Sequence, residues 1–258
     1  MPDPVFTGVA AATVTFFDEH GTVDAATTAR HAAHLAERGM QAIVVAGTTG
    51  EAPHLSMKER LTLLDAVRAA VPSDVPVILG TGGLPSGVSA AELTKRSIDH
   101  GADAALALSP HHGDVRAFYE DIASAAGTFP VIAYHYPAVS GTEGIRVDLL
   151  NLLPVAGLKD STGDPTRLLE EQAVYEGPLY TGSAAMALFS GALGCTGVIL
   201  AAANLEPELC TQAFAGDVEA QRALLPAHRI AREDAPHGLK RELNARFGTP
   251  AHCRHHTH

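Results

Sequence analysis

The chain has 258 residues, 46% of them hydrophobic and 18% charged, and a formal net charge of -11. That is material for a globular core, and the acidic balance speaks against nucleic acid or an anionic membrane as a partner. No basic-then-apolar leader opens the sequence, no apolar run is long enough to span a bilayer, and three cysteines (Cys195, Cys210, Cys253) without a C-x-x-C pair fit a reducing cytoplasm and give no zinc pattern.

Apolar β-type runs alternate with amphipathic helical stretches from end to end. Val9 to Phe17 reads as strand one, followed by a helix over Val23 to Arg38. Ala42 to Ala46 precedes a helix over Ser56 to Val71, and Val75 to Leu79 precedes one over Ser86 to His100. Ala104 to Leu108 precedes a helix over Asp114 to Ala126, and Pro130 to Tyr134 a short one near Val147 to Leu153. Val155 to Lys159 precedes a helix over Pro165 to Tyr175, and Leu179 to Thr181 one over Ala184 to Leu193, before strand eight at Thr196 to Leu200. Asp24, Ser56 and Ser86 stand where N-caps belong, and Glu59 completes a capping box with Ser56.

Eight such units predict a parallel sheet covered outside by helices and closed into a (β/α)8 TIM barrel over residues 1–204. Segments at Pro207–Phe214, Asp217–Glu233 and His237–Phe247 lie beyond the eighth unit. They are expected as a helical extension of the same domain, residues 205–258, rather than as barrel wall. The late His252, His255, His256 and His258 carry no functional expectation.

Chemistry in such a barrel sits where the strands end, at the C-terminal face. Val155-Ala-Gly-Leu-Lys159 is an apolar run ending in a lysine. Burial there lowers an ammonium's pKa toward the neutral amine, which can attack a carbonyl and form a Schiff base. The competing reading is a lysine that snorkels out to water. Lys58, Lys95 and Lys240 sit among charged residues in amphipathic helices, where solvated ammoniums are expected. Strand two ends in Gly47-Thr48-Thr49-Gly50-Glu51, which is either a hydroxyl-rich cradle for a carboxylate or an ordinary tight turn. Strand five ends in Tyr134-His135-Tyr136-Pro137, beside strand six at about 4.8 Å. Tyr134 is then either a core filler or a proton shuttle relayed through Thr48.

Together Gly47-Thr-Thr-Gly-Glu51, Tyr134-x-x-Pro137, Gly157-x-Lys159-Asp160 and Gly194-x-x-Gly197-Val-Ile199 resemble the dihydrodipicolinate synthase / N-acetylneuraminate lyase family of Schiff-base, pyruvate-handling barrels. The resemblance covers nearly the whole chain. It implies that Lys159 forms the imine with a 2-oxo acid, Tyr134 shuttles protons, Thr48 and Thr49 hold the carboxylate beside Gly50, and the backbone of Ile199 lines the pyruvate pocket. It also implies homotetramers or homodimers, pyruvate and an aldehyde as small-molecule partners, and no metal or organic cofactor.

Departures from the family narrow the chemistry. The synthase's arginine two residues after the Y-x-x-P proline falls on Val139, and its inter-subunit tyrosine falls on His112 in Ser109-Pro-His-His-Gly113. His111 and His112 are therefore either a solvated loop pair or a proton relay. Pro137-Ala-Val-Ser-Gly141 resembles the sialic-acid lyases, but their sugar-binding Asp-Glu pair falls on Ala184-Ala185. Gly157-Leu-Lys-Asp-Ser-Thr-Gly-Asp-Pro-Thr-Arg167, Gly182-Ser-Ala184 and Gly238-Leu-Lys240 are most similar to 4-hydroxy-2-oxoglutarate and 2-keto-3-deoxy-acid aldolases. Relatives continue past the counterpart of Pro250 into a final helix. The expected activity is a class I aldolase that cleaves or forms a 2-oxo-4-hydroxy acid. A synthase-type condensation and a non-catalytic 2-oxo-acid sensor are the alternatives. The aldehyde side of the pocket is expected near Val139, His112 and Ser183.

Overall fold

The computed structural model describes residues 3–82 and 89–254. Eight parallel strands close into a barrel in sequence order: β1 (Gly8–Ala12), β2 (Ala42–Val45), β3 (Val77–Gly80), β4 (Ala104–Leu108), β5 (Val131–His135), β6 (Gly157–Asp160), β7 (Leu179–Thr181) and β8 (Gly197–Leu200). Outside them run α1 (Ala25–Glu37), α2 (Met57–Ala70), α3 (Ala90–Asp99), α4 (Val115–Ala126), a single turn α5 (Pro137–Ser140), α6 (Pro165–Val174) and α7 (Ala187–Ala192). The chain continues through α8 (Pro207–Phe214), α9 (Val218–Ala223), α10 (Leu225–Glu233) and α11 (His237–Phe247). Among the described residues no helix is long and apolar enough to cross a membrane.

Strand alternation sorts the core into two shells. Ala10, Val44, Ile78, Leu106, Ile132, Tyr134 and Ile199 point into the barrel, where Phe6 stacks on Tyr180 at 4.7 Å. Leu79, Val198 and Leu158, from the opposite face of their strands, pack under the helices. The caps act as read: Asp24 accepts from the Thr27 amide at 2.9 Å, and Ser56 and Glu59 form the reciprocal capping box. Helix α3 is capped by Ser89, and the cap expected at Ser86 lies outside the described residues.

Three expectations change. The strand read from Val9 to Phe17 stops at Ala12. Beyond it, Val14 donates its amide to Asn204 and Phe16 donates to the Thr28 hydroxyl, so side chains replace the ladder. The run stays apolar because Val14, Phe16 and Phe17 are fully buried. The helix read over Asp217–Glu233 breaks at Leu224, and Pro226, which has no amide to donate, opens the second piece. Helix α8, expected outside the wall, buries Cys210 and Ala213 against Val9, Ala11 and Val198, and so takes the eighth wall position.

A fourth correction concerns Lys240. It was expected to be solvated but is fully buried. Its Nζ donates to Glu51 Oε1 at 2.5 Å and to the His252 carbonyl at 2.8 Å, and lies 4.4 Å from the Phe17 ring centroid. The helical pattern around it did not reveal a partner 189 positions away. Residues 248–254 lie across this pair, and Arg254 donates its amide to Glu51 Oε2 at 2.7 Å and a guanidinium N–H to Glu59. Glu51→Ala removes the carboxylate from a buried ammonium and should destabilise the protein by about 3–5 kcal/mol. Glu51→Ala with Lys240→Met should recover most of that loss in urea unfolding. Equal losses in the single and double variants would show that the pair is not what holds this region.

Candidate active site

At the C-terminal ends of the strands lies a cavity of about 200 Å³, below the ~300 Å³ at which pockets begin to hold drug-sized ligands. Lys159, Tyr134, Thr48, Thr49, Ile199 and Ser183 all line it. Tyr134 and Lys159 are register partners on β5 and β6, so both side chains enter the barrel at one level. The Lys159 ammonium position is 4.2 Å from the centroid of the Tyr134 ring.

Burial sets the electrostatics. Lys159 is 5% exposed, and desolvation pulls its pKa from 10.5 to about 7. The amine is therefore nucleophilic near neutrality. The same burial pushes the Tyr134 phenol up to about 12, opposed by the side-chain hydroxyls of Ser161 and Thr48. Gly182 makes room for the amine: a Cβ there would lie 3.0 Å from Lys159 Cε and would overlap Ser161 Oγ.

The turn carrying Thr48 and Thr49 is bracketed by Ala46 at φ 52° and Glu51 at φ 60°, the two non-glycine residues with positive φ among those described. Such conformations cost about 1–3 kcal/mol each and persist where the surroundings enforce them. Lys240 grips Glu51 from below. Buried Arg60 donates to the carbonyls of Ala52, Gly80 and Gly82. Gly80 lets β3 press against the Ala46 carbonyl, which a Cβ would approach to 2.3 Å. After β6, Asp160 accepts from the Thr162 amide at 2.7 Å and the Thr162 hydroxyl at 2.8 Å, which fixes the exit from Lys159.

The remaining expected site residues are less uniform. Gly50 lies under the turn, accepting from the Thr15 hydroxyl at 2.8 Å, and does not line the cavity. Val139 lines it as an apolar wall. His112 is exposed and does not line this cavity, whereas His111 borders a smaller one, about 50 Å³, shared with Thr48, Tyr134 and Val139. His111 Nδ1 lies 2.6 Å from the Ser140 carbonyl, so that nitrogen carries the proton.

Sequence reasoning missed Ser161, Tyr136, His228 and Arg232, all of which line the Lys159 cavity. Ser161 stands two residues after Lys159, just past the end of β6, so the strand's period of two carried a signal for it. Arg232 and His228 come from α10, and nothing local in the sequence ties that helix to the barrel mouth. Among the described residues no cluster of three or more histidine, cysteine or acidic side chains is placed to hold a metal ion.

A model of the dihydrodipicolinate synthetase family matches residues 5–244. The 4-hydroxy-tetrahydrodipicolinate synthase of Synechococcus sp. (strain CC9311) is 34% identical over 215 residues, 79% of this chain and 70% of that protein. The chloride-inhibited dihydrodipicolinate synthase of Acinetobacter baumannii, solved in complex with pyruvate, superposes with a TM-score of 0.81 at 30% identity, over 93% of this chain and 88% of the other. KD(P)GA from T. tenax superposes with a TM-score of 0.74 at 28% identity, over 84% and 78%.

Proposed function

This chain belongs to the dihydrodipicolinate synthetase family, whose members are carbon–carbon lyases, and from that premise we propose that it is a class I aldolase acting on a 2-oxo-4-hydroxy acid. The observation that carries the reading is the Lys159 amine, with a pKa near 7, packed against the Tyr134 ring.

The Lys159 lone pair attacks the C2 ketone to give a carbinolamine. The departing C2 oxygen collects two protons, one from the amine and one from Tyr134, and leaves as water. The resulting iminium draws the C3–C4 bonding pair toward nitrogen. As that bond breaks, the C4 hydroxyl gives its proton to the Tyr134 phenolate, with Thr48 and Ser161 as hydroxyl neighbours. The aldehyde departs, the enamine takes a proton at C3 from the reprotonated Tyr134, and water then adds at C2, giving one proton to the nitrogen and one back to Tyr134, so that pyruvate leaves and the amine and phenol are restored. Thr48 and Thr49 at the cavity wall are suited to bind the 2-oxo acid's carboxylate. The non-catalytic alternative would need this amine and phenol without any carbon–carbon step.

Synthase-type condensation is the second reading, favoured by the names of the curated relatives. It shares every step up to the pyruvate enamine. Val139 stands where that reading would place an arginine, so aldol chemistry without later cyclisation fits this chain better. Incubation with pyruvate and borohydride should add one reduced pyruvate to Lys159, read by peptide mass. A folded protein left unmodified would refute both readings.

A further inference from the structure

The aldehyde end of the cavity has a cation that the position of Val139 does not supply. Arg232 of α10 reaches over the mouth and lines the same cavity as Lys159. Its Nη1 donates to the Tyr136 hydroxyl at 3.1 Å and to the Ser161 carbonyl at 3.3 Å, and its Nη2 to the Thr162 carbonyl at 3.5 Å. The guanidinium lies 5.7 Å from the Tyr136 ring centroid, and that ring stacks beside Tyr134 at 6.0 Å. An exposed arginine would ordinarily sweep through solvent; this one is held by a phenol and two backbone carbonyls from the exits of β5 and β6.

The charge lining the cavity is one-sided, although Glu233 beside Arg232 acts on His228 in the opposite sense. Among the described residues no aspartate or glutamate lines the cavity, although the chain carries 29 acidic residues against 18 basic ones. His228, one helical turn before Arg232, faces the same space, and burial together with the Arg232 charge lowers its pKa. The result is a positive charge held at the outer end, a half-buried imidazole beside it and the Lys159 amine at the inner end.

Resting on the aldolase reading above, we propose that Arg232 is the specificity-determining residue of this site and that the aldehyde partner carries a carboxylate, which Arg232 holds. A planar guanidinium matches a carboxylate's geometry. One cation suits a single negative charge better than a phosphate's two. The small cavity also favours a short acidic aldehyde over an extended sugar.

Condensation of pyruvate with four aldehydes tests this in the full chain: glyoxylate and succinic semialdehyde (carboxylates), glycolaldehyde (neutral) and glyceraldehyde 3-phosphate. Wild type should favour a carboxylate aldehyde. In Arg232→Gln the ratio of its kcat/KM to that of glycolaldehyde should fall about 10- to 100-fold, mostly through KM. Arg232→Lys should restore part of that ratio. Pyruvate should remain trappable by borohydride on Lys159 in every variant, so loss of acceptor preference is distinguishable from loss of the Schiff base. The inference is overturned if wild type traps pyruvate but condenses it no faster with carboxylate aldehydes than with glycolaldehyde. It is equally overturned if Arg232→Gln leaves the ratio unchanged, or if glyceraldehyde 3-phosphate shows the largest Arg232-dependent loss. A wild type that leaves no pyruvate adduct fails at the parent reading instead.

Discussion

Lys159→Met should yield a protein that melts higher than wild type and turns nothing over. Methionine nearly matches the lysine stem in volume, so the pocket keeps its packing while the nucleophile disappears. Without an amine no imine forms, borohydride fixes no pyruvate, and the rate should fall to background. The stability gain follows from burial. Lys159 titrates near 7 in the folded state and near 10.4 in an unfolded chain. Between those values the unfolded state binds more protons, so this lysine makes wild type more stable as pH rises from about 7 to about 10. Below pH 7 the folded protein carries the whole cost of a buried ammonium. Methionine removes the cost and the slope together, a gain on the order of 2–4 kcal/mol at neutral pH. Wild-type kcat/KM should correspondingly fall about tenfold per pH unit below pH 7, because only the free amine attacks. A rate flat down to pH 5, or a methionine variant less stable than wild type, would show that the lysine is not held neutral by its surroundings.

The same burial explains which parts of the molecule could be read from sequence. The barrel was legible because eight apolar runs alternate with helical periods, and a closed parallel sheet needs both. The burial of Lys159 was legible because the run that precedes it is wholly apolar. Lys240 was misread by the converse logic: its helix is rich in charge, and the pairing that buries it crosses from α11 to the turn after β2. The extra length read into β1 has a related cause. Asn204 and Thr28 satisfy its amides, and a buried apolar segment looks the same with or without a ladder. Arg232 belongs with Lys240. Residues of the last quarter of the chain reach the barrel mouth through tertiary packing, so their partners Tyr136 and Ser161, about 96 and 71 positions away, leave no local pattern.

Tyr134→Phe should separate binding from bond breaking. The phenylalanine ring fills the same space beside Lys159, so pyruvate should still be trapped on the amine, more slowly. Turnover should drop by about 10²- to 10⁴-fold in kcat, the range for losing a positioned acid–base group. A phenol near 12 looks too weak an acid for work at pH 7, but that value belongs to the resting site. Once the iminium forms, a fixed positive charge stands about 4 Å from the ring. At an effective dielectric constant of about 20 such a charge is worth about 4 kcal/mol to a phenolate at that distance, which lowers the phenol's pKa from its resting value. The phenol is a stronger acid only while the covalent intermediate exists. The proton given to the departing water therefore leaves a base ready for the C4 hydroxyl, and the residue works as acid and then as base without a second carboxylate or histidine. Single-turnover kinetics can resolve this: in Tyr134→Phe the imine should accumulate before C3–C4 cleavage. A variant that cleaves at the wild-type rate would move the proton-transfer role to another group in the cavity, with His228 the first to test.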